Sequence, residues 1–364
     1  MKKKIIIIVI TLLSVSCSSK KEERNVYESL PLYNHTIIKK DSLFLLQNDK
    51  VFVGQISNMV TWKDYVLISD FNNHTMIFDK KLNHIKTVGT EGTGPGEFTN
   101  PPTPVLGTNN FILLNRRIKK YFEYDERFNF ISEKKLPPKF DFFPINPIRI
   151  NNHFITFVGD PSVYGNRKKI SNINSLYIFD ENFNYTGKGL YKWDDIYNNE
   201  DYFAYTRNNL FVRLTLYPNG FFATQPASNI IAHFDNDLNL IKEFRLEPKY
   251  SKDPPIESDI LKTQQSVETV VRFGCSMTSK LGFVYEPQHE LVAVGYTNLK
   301  EEFFYKRTLM IGDHYLQVFD KNYNCIFDGP VPGLVAFTLN GLIYILAEEK
   351  EEFLKFIGYE LVKK

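Results

Sequence analysis

The sequence contains few cysteines, no strong excess of charge of either sign, and no long apolar run after its first residues. Three cysteines in 364 residues are too few for the disulfide framework of a small secreted scaffold. The 44 lysines and arginines are balanced by 42 aspartates and glutamates, so the chain lacks the net positive field of a general nucleic-acid-binding protein. After residue 16 no stretch approaches the ~18 consecutive apolar residues of a membrane-spanning helix. The sequence therefore predicts no nucleic-acid partner and no transmembrane segment.

Local signatures of metal, phosphate and hydrolase chemistry are also missing. The seven histidines include no His-x-x-x-His pair, the cysteines form no Cys-x-x-Cys pair, and no Gly-x-Ser-x-Gly motif is present. The glycine-rich stretch 92–96 lacks the Lys-Ser/Thr of a phosphate loop. Adjacent Asp194 and Asp195 would point to opposite faces of a strand, so they are not a credible acid and base pair. We predict no metal and no cofactor, while carboxylates assembled from distant parts of the chain remain an open alternative.

The apolar and aromatic content is enough for a large folded core. Apolar residues make up 43% of the chain and aromatic residues 15%, and a chain of this length buries ~75% of the surface that its unfolded form exposes. The bulk of the chain is therefore predicted to be folded.

The first residues have the pattern of a secretory signal. Three lysines precede the apolar run 5–13, which is too short to span a bilayer. Residues 13–17, Leu-Ser-Val-Ser-Cys, resemble the lipobox of bacterial lipoproteins, although Ser14 replaces the usual leucine. The resemblance implies cleavage after Ser16 and acylation of Cys17, which would anchor the protein to a membrane. An ordinary signal peptide is the alternative.

The next segment predicts where the anchored protein would lie. Residues 17–33 are interpreted as the lipidated cysteine and a flexible tether, because 18–25 are almost entirely polar. Lys21-Glu22-Glu23 resembles the surface-export signals of Bacteroidetes lipoproteins. We therefore expect an outer-membrane lipoprotein of the cell envelope, facing the surface or, alternatively, the periplasm. In such an oxidising compartment Cys275 and Cys325 could pair, but two separate thiols are the favoured interpretation.

Two repeated signatures organise residues 34–364. The motif Asp-x-x-apolar-Asn follows an apolar strand five times, beginning at residues 79, 125, 180, 235 and 320. Asp and Asn favour tight turns, so each copy predicts a hairpin. Six other turns each precede a strand rich in β-branched and aromatic residues, and these strands begin at 65, 111, 154, 221, 291 and 342. Interleaving the signatures gives six four-stranded meanders, whose strands we call A to D.

Six such units predict an all-β fold, a six-bladed β-propeller of four-stranded antiparallel blades. The last unit lacks an outer strand before the chain ends, whereas residues 36–46 form a strand pattern without a unit of their own. We therefore expect this N-terminal strand to close the ring on the last blade. Two independent sandwich domains are the alternative.

One blade carries a family resemblance. Residues 66–79 contain Asp70-Phe-Asn-Asn73-His74, and residues 94–98 read Gly-Pro-Gly-Glu-Phe after a glycine-rich stretch. This segment resembles an NHL repeat, and the whole chain is similar to the six-bladed, TolB-like or NHL-like propeller lipoproteins of Bacteroidetes. The resemblance implies the fold and the envelope location, and it brings no known catalytic residues.

The long insertions all fall in the B-to-C loops and in the links between blades, which share one face of such a disc. They span residues 160–174, 187–210, 247–275 and 298–313. Function concentrates in long loops on a rigid scaffold, so we expect the binding site on this face. Tolerated drift of surface loops is the alternative.

Candidate ligand-binding residues in these insertions are aromatic and charged, a composition that suits sugar or peptide recognition and equally suits local packing. They are Tyr164, Arg167, Trp193, Asp194, Asp195, Tyr202, Arg207, Tyr305 and Arg307. Arg116 and Arg117 end a B strand, so at least one is expected to face the mouth of the channel, where paired arginines would suit a carboxylate or phosphate. A solvated turn or a salt-bridge partner is the alternative and the more common role of such a pair. Residues 258–273 are predicted as the only helix, a lid or a structural cover.

These features favour a membrane-anchored, non-enzymatic propeller that binds a glycan, a peptide or an envelope protein. An extracellular polysaccharide hydrolase or lyase with its site at the channel mouth is the alternative function. A purely structural scaffold is a third interpretation.

Overall fold

A computed structural model describes residues 26–28, 32–115, 117–136, 143–159, 170, 173–306, 308 and 310–364. Its strands form six antiparallel sheets. Five of them consist of four consecutive strands, and the sixth joins two N-terminal strands to the last three strands. The predicted signal sequence, Cys17 and the Lys-Glu-Glu segment lie outside the described residues. The prediction of six four-stranded blades is confirmed.

The first two strands, β1 (Val26–Glu28) and β2 (His35–Leu46), belong to the last blade. Blade one contains β3 (Ile56–Trp62), β4 (Tyr65–Asp70), β5 (Thr75–Phe78) and β6 (His84–Val88). Blade two contains β7 (Thr103–Val105), β8 (Phe111–Asn115), β9 (Lys120–Tyr124) and β10 (Phe130–Lys135). Blade three contains β11 (Phe143–Ile150), β12 (His153–Gly159), β13 (Asn174–Phe179) and β14 (Tyr185–Lys192).

Blade four contains β15 (Arg213–Tyr217), β16 (Gly220–Thr224), β17 (Ile230–Asp235) and β18 (Leu240–Arg245). Blade five contains β19 (Thr278–Glu286), β20 (Leu291–Leu299), β21 (Gly312–Phe319) and β22 (Cys325–Val331). Blade six contains β23 (Leu334–Leu339), β24 (Leu342–Glu349) and β25 (Phe353–Lys363). The six B strands begin within one residue of the predicted positions.

The N-terminal strand closes the ring. β2 pairs antiparallel with β25, from His35 opposite Lys363 to Leu46 opposite Phe353. It therefore supplies the outer strand that blade six lacks, as the sequence predicts. β1 adds a fifth strand outside β2, so pairing begins eight residues before residue 34, the predicted start of the propeller.

The core consists of six apolar clusters, one for each contact between neighbouring blades. Blades one and two share a cluster around Phe111 and Phe122, and blades six and one share a cluster around Phe78 and Phe356. The other four clusters lie between the remaining neighbours around the ring. Two sandwich domains would produce two cores, so this arrangement favours the propeller over that alternative.

The five Asp-x-x-apolar-Asn motifs are the C-to-D hairpins. In the first copy one carboxylate oxygen of Asp79 accepts hydrogen bonds from the Lys81 and Asn83 amides, and the other accepts one from Asn83 Nδ2 at 2.9 Å. The residue with a left-handed backbone is the apolar one, Leu82, with φ of 61°. This is the three-residue hairpin loop in which a type I turn is followed by a left-handed residue and a bulge.

Three helices of five residues or more are described, all in the long insertions: α1 (Phe203–Arg207), α2 (Val267–Cys275) and α3 (Glu301–Lys306). Short 3₁₀ turns span Asp195–Asn198, Glu200–Tyr202 and Lys262–Gln264. The prediction of one helix over 258–273 is therefore wrong in two respects, because that helix begins later and two further helices are present. Ser266 caps α2 in a capping box with Thr269, so the helix begins at Val267, nine residues later than expected.

The strand order separates two faces of the disc. The A-to-B and C-to-D turns lie on one face, here called the turn face. The B-to-C loops and the links between blades lie on the other, here called the loop face. The A strands are innermost and line a central channel. None of the described helices is long and apolar enough to cross a membrane.

Candidate binding site

A cavity of about 250 Å³ lies between blades four and five at the loop face. We call it the inter-blade cavity. Its walls come from the B-to-C turn of blade four, from the link 246–254 and from the first residues of β19. Its lining includes Asp194, Ser228, Asn229, Thr278, Lys280 and Tyr296. The cavity thus lies on the face that the loop lengths favoured.

Lys280 places an amine beside this cavity. The residue is only 8% exposed, and its Nζ donates to the Ser228 carbonyl and to Asn229 Oδ1. Burial lowers the pKa of this amine to about 7, with Asp194 opposing the shift. Both protonation states are therefore populated at neutral pH, and the amine can donate a hydrogen bond in either state.

Asp194 also lines the cavity, and it meets Lys280 at Ser228, which both side chains contact. Its Oδ1 accepts from the Ile196 amide at 3.0 Å and caps the 3₁₀ turn that follows. Its Oδ2 accepts from Ser228 Oγ at 2.6 Å. Because both carboxylate oxygens accept hydrogen bonds from the protein, Asp194 holds the cavity wall in place. Asp194, which the sequence proposed as a binding residue, therefore lines the cavity.

Stacked tyrosines lie beside the cavity. The Tyr250 and Tyr315 rings are 4.6 Å apart and inclined by 11°, and Tyr296 stacks on Tyr315 at 5.3 Å. Tyr296 lines the cavity, and its hydroxyl donates to Asp328 Oδ1 at 2.6 Å. Burial raises the pKa of Asp328 and of Tyr296. The three stacked tyrosine rings form an aromatic wall, which the hydrogen bond from Tyr296 to Asp328 holds in place.

The central channel is a second cavity, of about 290 Å³. All six A strands contribute to its lining, and Arg213 at the start of β15 is the one charged side chain among the described lining residues. The Nε atom of Arg213 is buried without a hydrogen-bond partner. Burial lowers the pKa of this guanidinium to about 10, so it remains protonated at neutral pH.

The turn face carries a wider and more open groove of about 600 Å³. Short turns of blades two, three and four line it, with Arg149, His153 and Asp237 among them. Its walls are tight turns, and it lacks the long loops that form the inter-blade cavity.

The family match follows this architecture. The family model described as DUF5128, 6-bladed beta-propeller, matches residues 41–253, more than half of the chain. The chain belongs to the DUF5128 family. No curated protein matches it.

Two solved structures resemble this DUF5128 chain over nearly their full lengths. A member of the DUF4221 family from Bacteroides vulgatus superposes with a TM-score of 0.64 at 9% identity, covering 91% of this chain and 99% of that one. A Bacteroides fragilis protein described as a "putative exported protein" superposes with a TM-score of 0.60 at 12% identity, covering 93% and 98%. At such identities the likeness shows the shared propeller fold.

Two of the residues that the sequence proposed for binding pack inside this DUF5128 propeller. Trp193 is 5% exposed and packs against Tyr197, with ring centroids 4.6 Å apart. Arg207 is 3% exposed, its Nη1 donates to the Tyr197 carbonyl, and its guanidinium lies 4.8 Å from the centre of the Phe203 ring. Both side chains hold the link between blades three and four in place.

The other proposed residues are scattered. Asp195 and Arg117 are exposed, Tyr202 is half-buried, and Tyr305 on α3 is 61% exposed. Arg117 follows β8, a B strand, and it does not line the channel, because the A strands do. Arg116, Tyr164, Arg167 and Arg307 lie outside the described residues.

Sequence reasoning missed Lys280, which is 8% exposed, and Arg213, whose Nε atom is buried. Each is the one lysine or arginine of its A strand, and a lone cation on a strand looks the same in sequence whether it faces solvent or a neighbouring blade. An arginine at the first position of an innermost strand was the only available signal for Arg213.

In the part of the chain that the structure describes, no three His, Cys, Asp or Glu side chains are grouped as a metal site would require. Cys275 and Cys325 are both free and half-buried, in agreement with the favoured interpretation of two separate thiols.

Proposed function

We propose that the protein is a non-enzymatic binding propeller of the cell envelope that holds the end of a glycan in the inter-blade cavity. The observation that carries this proposal is a half-enclosed polar cavity on the loop face with the Lys280 amine in its wall.

The size of the cavity favours a single unit of a chain. Pockets for drug-sized ligands measure ~300–1,000 Å³, and the inter-blade cavity measures about 250 Å³. It therefore has room for one sugar ring or one amino-acid side chain rather than for a longer oligomer. A longer glycan would extend from the cavity over the surrounding loops.

The chemistry of the lining favours a sugar over an apolar side chain. Asn229 presents an exposed side-chain amide. The Ser228 and Thr278 hydroxyls donate to Asp194 and Asn298 and can still accept a hydrogen bond from a ligand. Tyr296, 2% exposed, adds an aromatic side chain to the wall. Arg245, Lys252 and Lys280 outnumber the two acidic residues of the lining, and Asp194 is already engaged. We therefore expect preference for an acidic sugar unit.

Glycan binding is tested by a glycan array followed by calorimetric titration of the best ligand. The Lys280→Gln and Lys252→Glu variants are expected to weaken binding at least tenfold, because each removes a cation from the lining. The matched control Lys242→Gln changes an exposed lysine on β18 and is expected to bind like the wild type. Lys252 is exposed at the cavity rim, so its variant tests the cavity even where the Lys280 variant does not fold.

Three outcomes would contradict the proposal. These are no binding on the array, unchanged affinity in both cavity variants, and capture of peptides alone. Shortening of the bound glycan would support the polysaccharide hydrolase or lyase in place of the binding module.

We further propose that a lipid on Cys17 anchors the propeller to the outer membrane. The signal pattern and the lipobox-like residues 13–17 support this, and the Bacteroides fragilis neighbour is described as exported. Cys17→Ser is expected to abolish incorporation of labelled palmitate and to release the protein from the membrane fraction. Protease digestion of intact cells then distinguishes surface exposure from a periplasmic orientation.

A further inference from the structure

The central channel holds a positive charge that no described residue neutralises. Arg213 is the first residue of β15. The described residues that line the channel include no aspartate, glutamate, lysine or histidine, and Arg213 forms no ion pair within the described chain. The Nε atom is buried and donates to nothing.

The register of β15 shows where this side chain lies. Successive side chains on a strand alternate between its two sides. Leu214 and Leu216 pack against the core between blades three and four, whereas Tyr217 packs against the core between blades four and five. Arg213 and Thr215 therefore lie on the blade-five side of β15, at the loop-face end of the channel.

A guanidinium in this position is costly unless something pairs with it. Arg213 as a whole is partly buried, but its Nε atom is fully enclosed, and an orphaned buried donor calls for a partner outside the protein. The channel also lies apart from the loops that form the inter-blade cavity.

We propose that the central channel binds a small anion, a carboxylate, phosphate or sulfate group, with the Arg213 guanidinium as its main partner. A planar guanidinium can donate two parallel hydrogen bonds to two oxygen atoms of such a group. This site is separate from the inter-blade cavity, so the proposal does not depend on glycan binding.

The channel wall supplies further donors. Each A strand is the inner edge of its sheet, so part of its backbone N–H groups faces the channel without a strand partner. Thr215 adds a hydroxyl on the same side of β15 as Arg213. The volume of about 290 Å³ has room for one small anion with some water.

The test compares sodium phosphate, sulfate and acetate with chloride at equal ionic strength, using thermal unfolding and calorimetric titration. At least one oxyanion is expected to raise the melting temperature of the wild type by several degrees over chloride, because a ligand that binds only the folded state stabilises it. The oxyanion that acts best distinguishes a carboxylate site from a phosphate or sulfate site. Arg213→Gln is expected to abolish the rise, and Arg213→Lys to retain part of it. The control Arg127→Gln, at an exposed turn, is expected to retain all of it.

A second measurement covers the case in which a variant folds poorly. In ¹⁵N-labelled wild type, the Arg213 Nε–H resonance, assigned by its absence from the Arg213→Lys spectrum, is expected to shift as phosphate is added. The proposal is overturned by an equal oxyanion effect in wild type and Arg213→Gln, by no effect beyond that of chloride, or by an Nε–H resonance that does not move with any of the three oxyanions.

Discussion

At five turns of the propeller an apolar residue occupies the left-handed position that glycine usually takes. The residues are Leu82, Phe128, Phe183, Leu238 and Tyr323, with φ between 58° and 67°. A left-handed backbone costs a non-glycine residue ~1–2 kcal/mol. Full burial of a large apolar side chain contributes ~1.5–3 kcal/mol, and Phe183 is 0% exposed and stacks on Phe154 with centroids 3.8 Å apart. The turn is therefore stabilised by side-chain burial rather than by backbone freedom.

This balance predicts that at Phe183 the glycine variant is more stable than the alanine variant, the reverse of the usual order within a strand. Phe183→Ala is expected to cost ~3–5 kcal/mol of unfolding free energy. Phe183→Gly is expected to cost ~1 kcal/mol less than the alanine variant, because it also relieves the left-handed backbone. The matched control is Phe179, a buried residue of the preceding strand, where glycine should be ~0.5–1 kcal/mol worse than alanine. Denaturant unfolding of the four variants measures their free energies of unfolding. If alanine is more stable than glycine at both positions, or glycine at both, the left-handed backbone at Phe183 does not have the predicted effect.

The aspartates of these turns predict acid sensitivity. The Asn129 amide, with its side chain and the Arg127 amide, holds the pKa of Asp125 below its ordinary value, and Asn239 does the same for Asp235. A lowered pKa in the folded state means that the ionised carboxylate stabilises the fold. This stabilisation is complete above the unfolded pKa, ~3.9, and is lost as the pH falls through the folded value.

The double variant Asp125→Asn/Asp235→Asn is therefore expected to melt below the wild type at pH 7, with a difference that shrinks as the pH falls below about 4. Thermal unfolding from pH 7 to pH 2.5 measures this. Asp237→Asn, an exposed residue within one of the same turns, is the control and should leave the curve unchanged. A difference that stays constant with pH would show that the carboxylate charge has no such role.

At the level of whole elements, β2 decides whether the ring is closed. It pairs with β25 along its whole length and buries Ile37 and Leu45 in the cores of two different interfaces. β1 adds only three paired residues outside it. The closing strand should therefore matter far more to stability than the strand that precedes it.

Truncation separates the two strands. A chain beginning at residue 32 lacks β1 and is expected to fold, with a melting temperature within several degrees of the full chain. A chain beginning at residue 47 lacks β2 and is expected not to fold cooperatively, because blade six then exposes an apolar edge. Circular dichroism during heating measures both chains. A cooperative transition in the shorter one would show that the ring does not need this strand, and recovery on adding a 32–46 peptide would confirm its role.

The strands were predictable because each turn carries its own chemistry. Turn motifs such as Asp-x-x-apolar-Asn and Asn340-Gly341 indicate from local sequence where the chain reverses. The turn that precedes a B strand occurs six times, which predicts six blades. The helices were less predictable. α1 has five residues, all buried, so it shows no amphipathic period. Leu261 and Val267 fit a helical pattern but are 69% and 66% exposed, because the capping box at Ser266 begins α2 late.

The candidate site was predictable only in part, for a physical reason. Asp194 was singled out because it lies in a long insertion, and the loop lengths favoured the loop face, on which the inter-blade cavity lies. Lys280 and Arg213 could not be found, because their surroundings come from blades that are distant in sequence. Whether a lone cation on a strand faces solvent, a cavity or a channel depends on how adjacent blades pack, which no local pattern encodes.

At the scale of the whole molecule, each blade is stabilised by two neighbours and the ring has no free end. The six inter-blade clusters together contain most of the buried apolar residues. A blade that unfolds therefore exposes two interfaces at once, which makes partial unfolding costly. In an open stack, by contrast, a terminal unit can unfold while exposing only one interface. The closed ring is expected to unfold as one cooperative unit.

The two tryptophans of the chain report on different interfaces and can test this. Trp62 lies in the cluster between blades one and two, and Trp193 lies in the cluster between blades three and four. In the single-tryptophan variants Trp62→Phe and Trp193→Phe, the denaturant midpoint from fluorescence is expected to coincide with the midpoint from circular dichroism. Adding Phe221→Ala, at the interface of blades three and four, to the variant that keeps Trp62 should lower both midpoints equally, although the change lies across the ring. A Trp62 fluorescence midpoint that stays in place while the circular dichroism midpoint falls would show that the blades unfold separately.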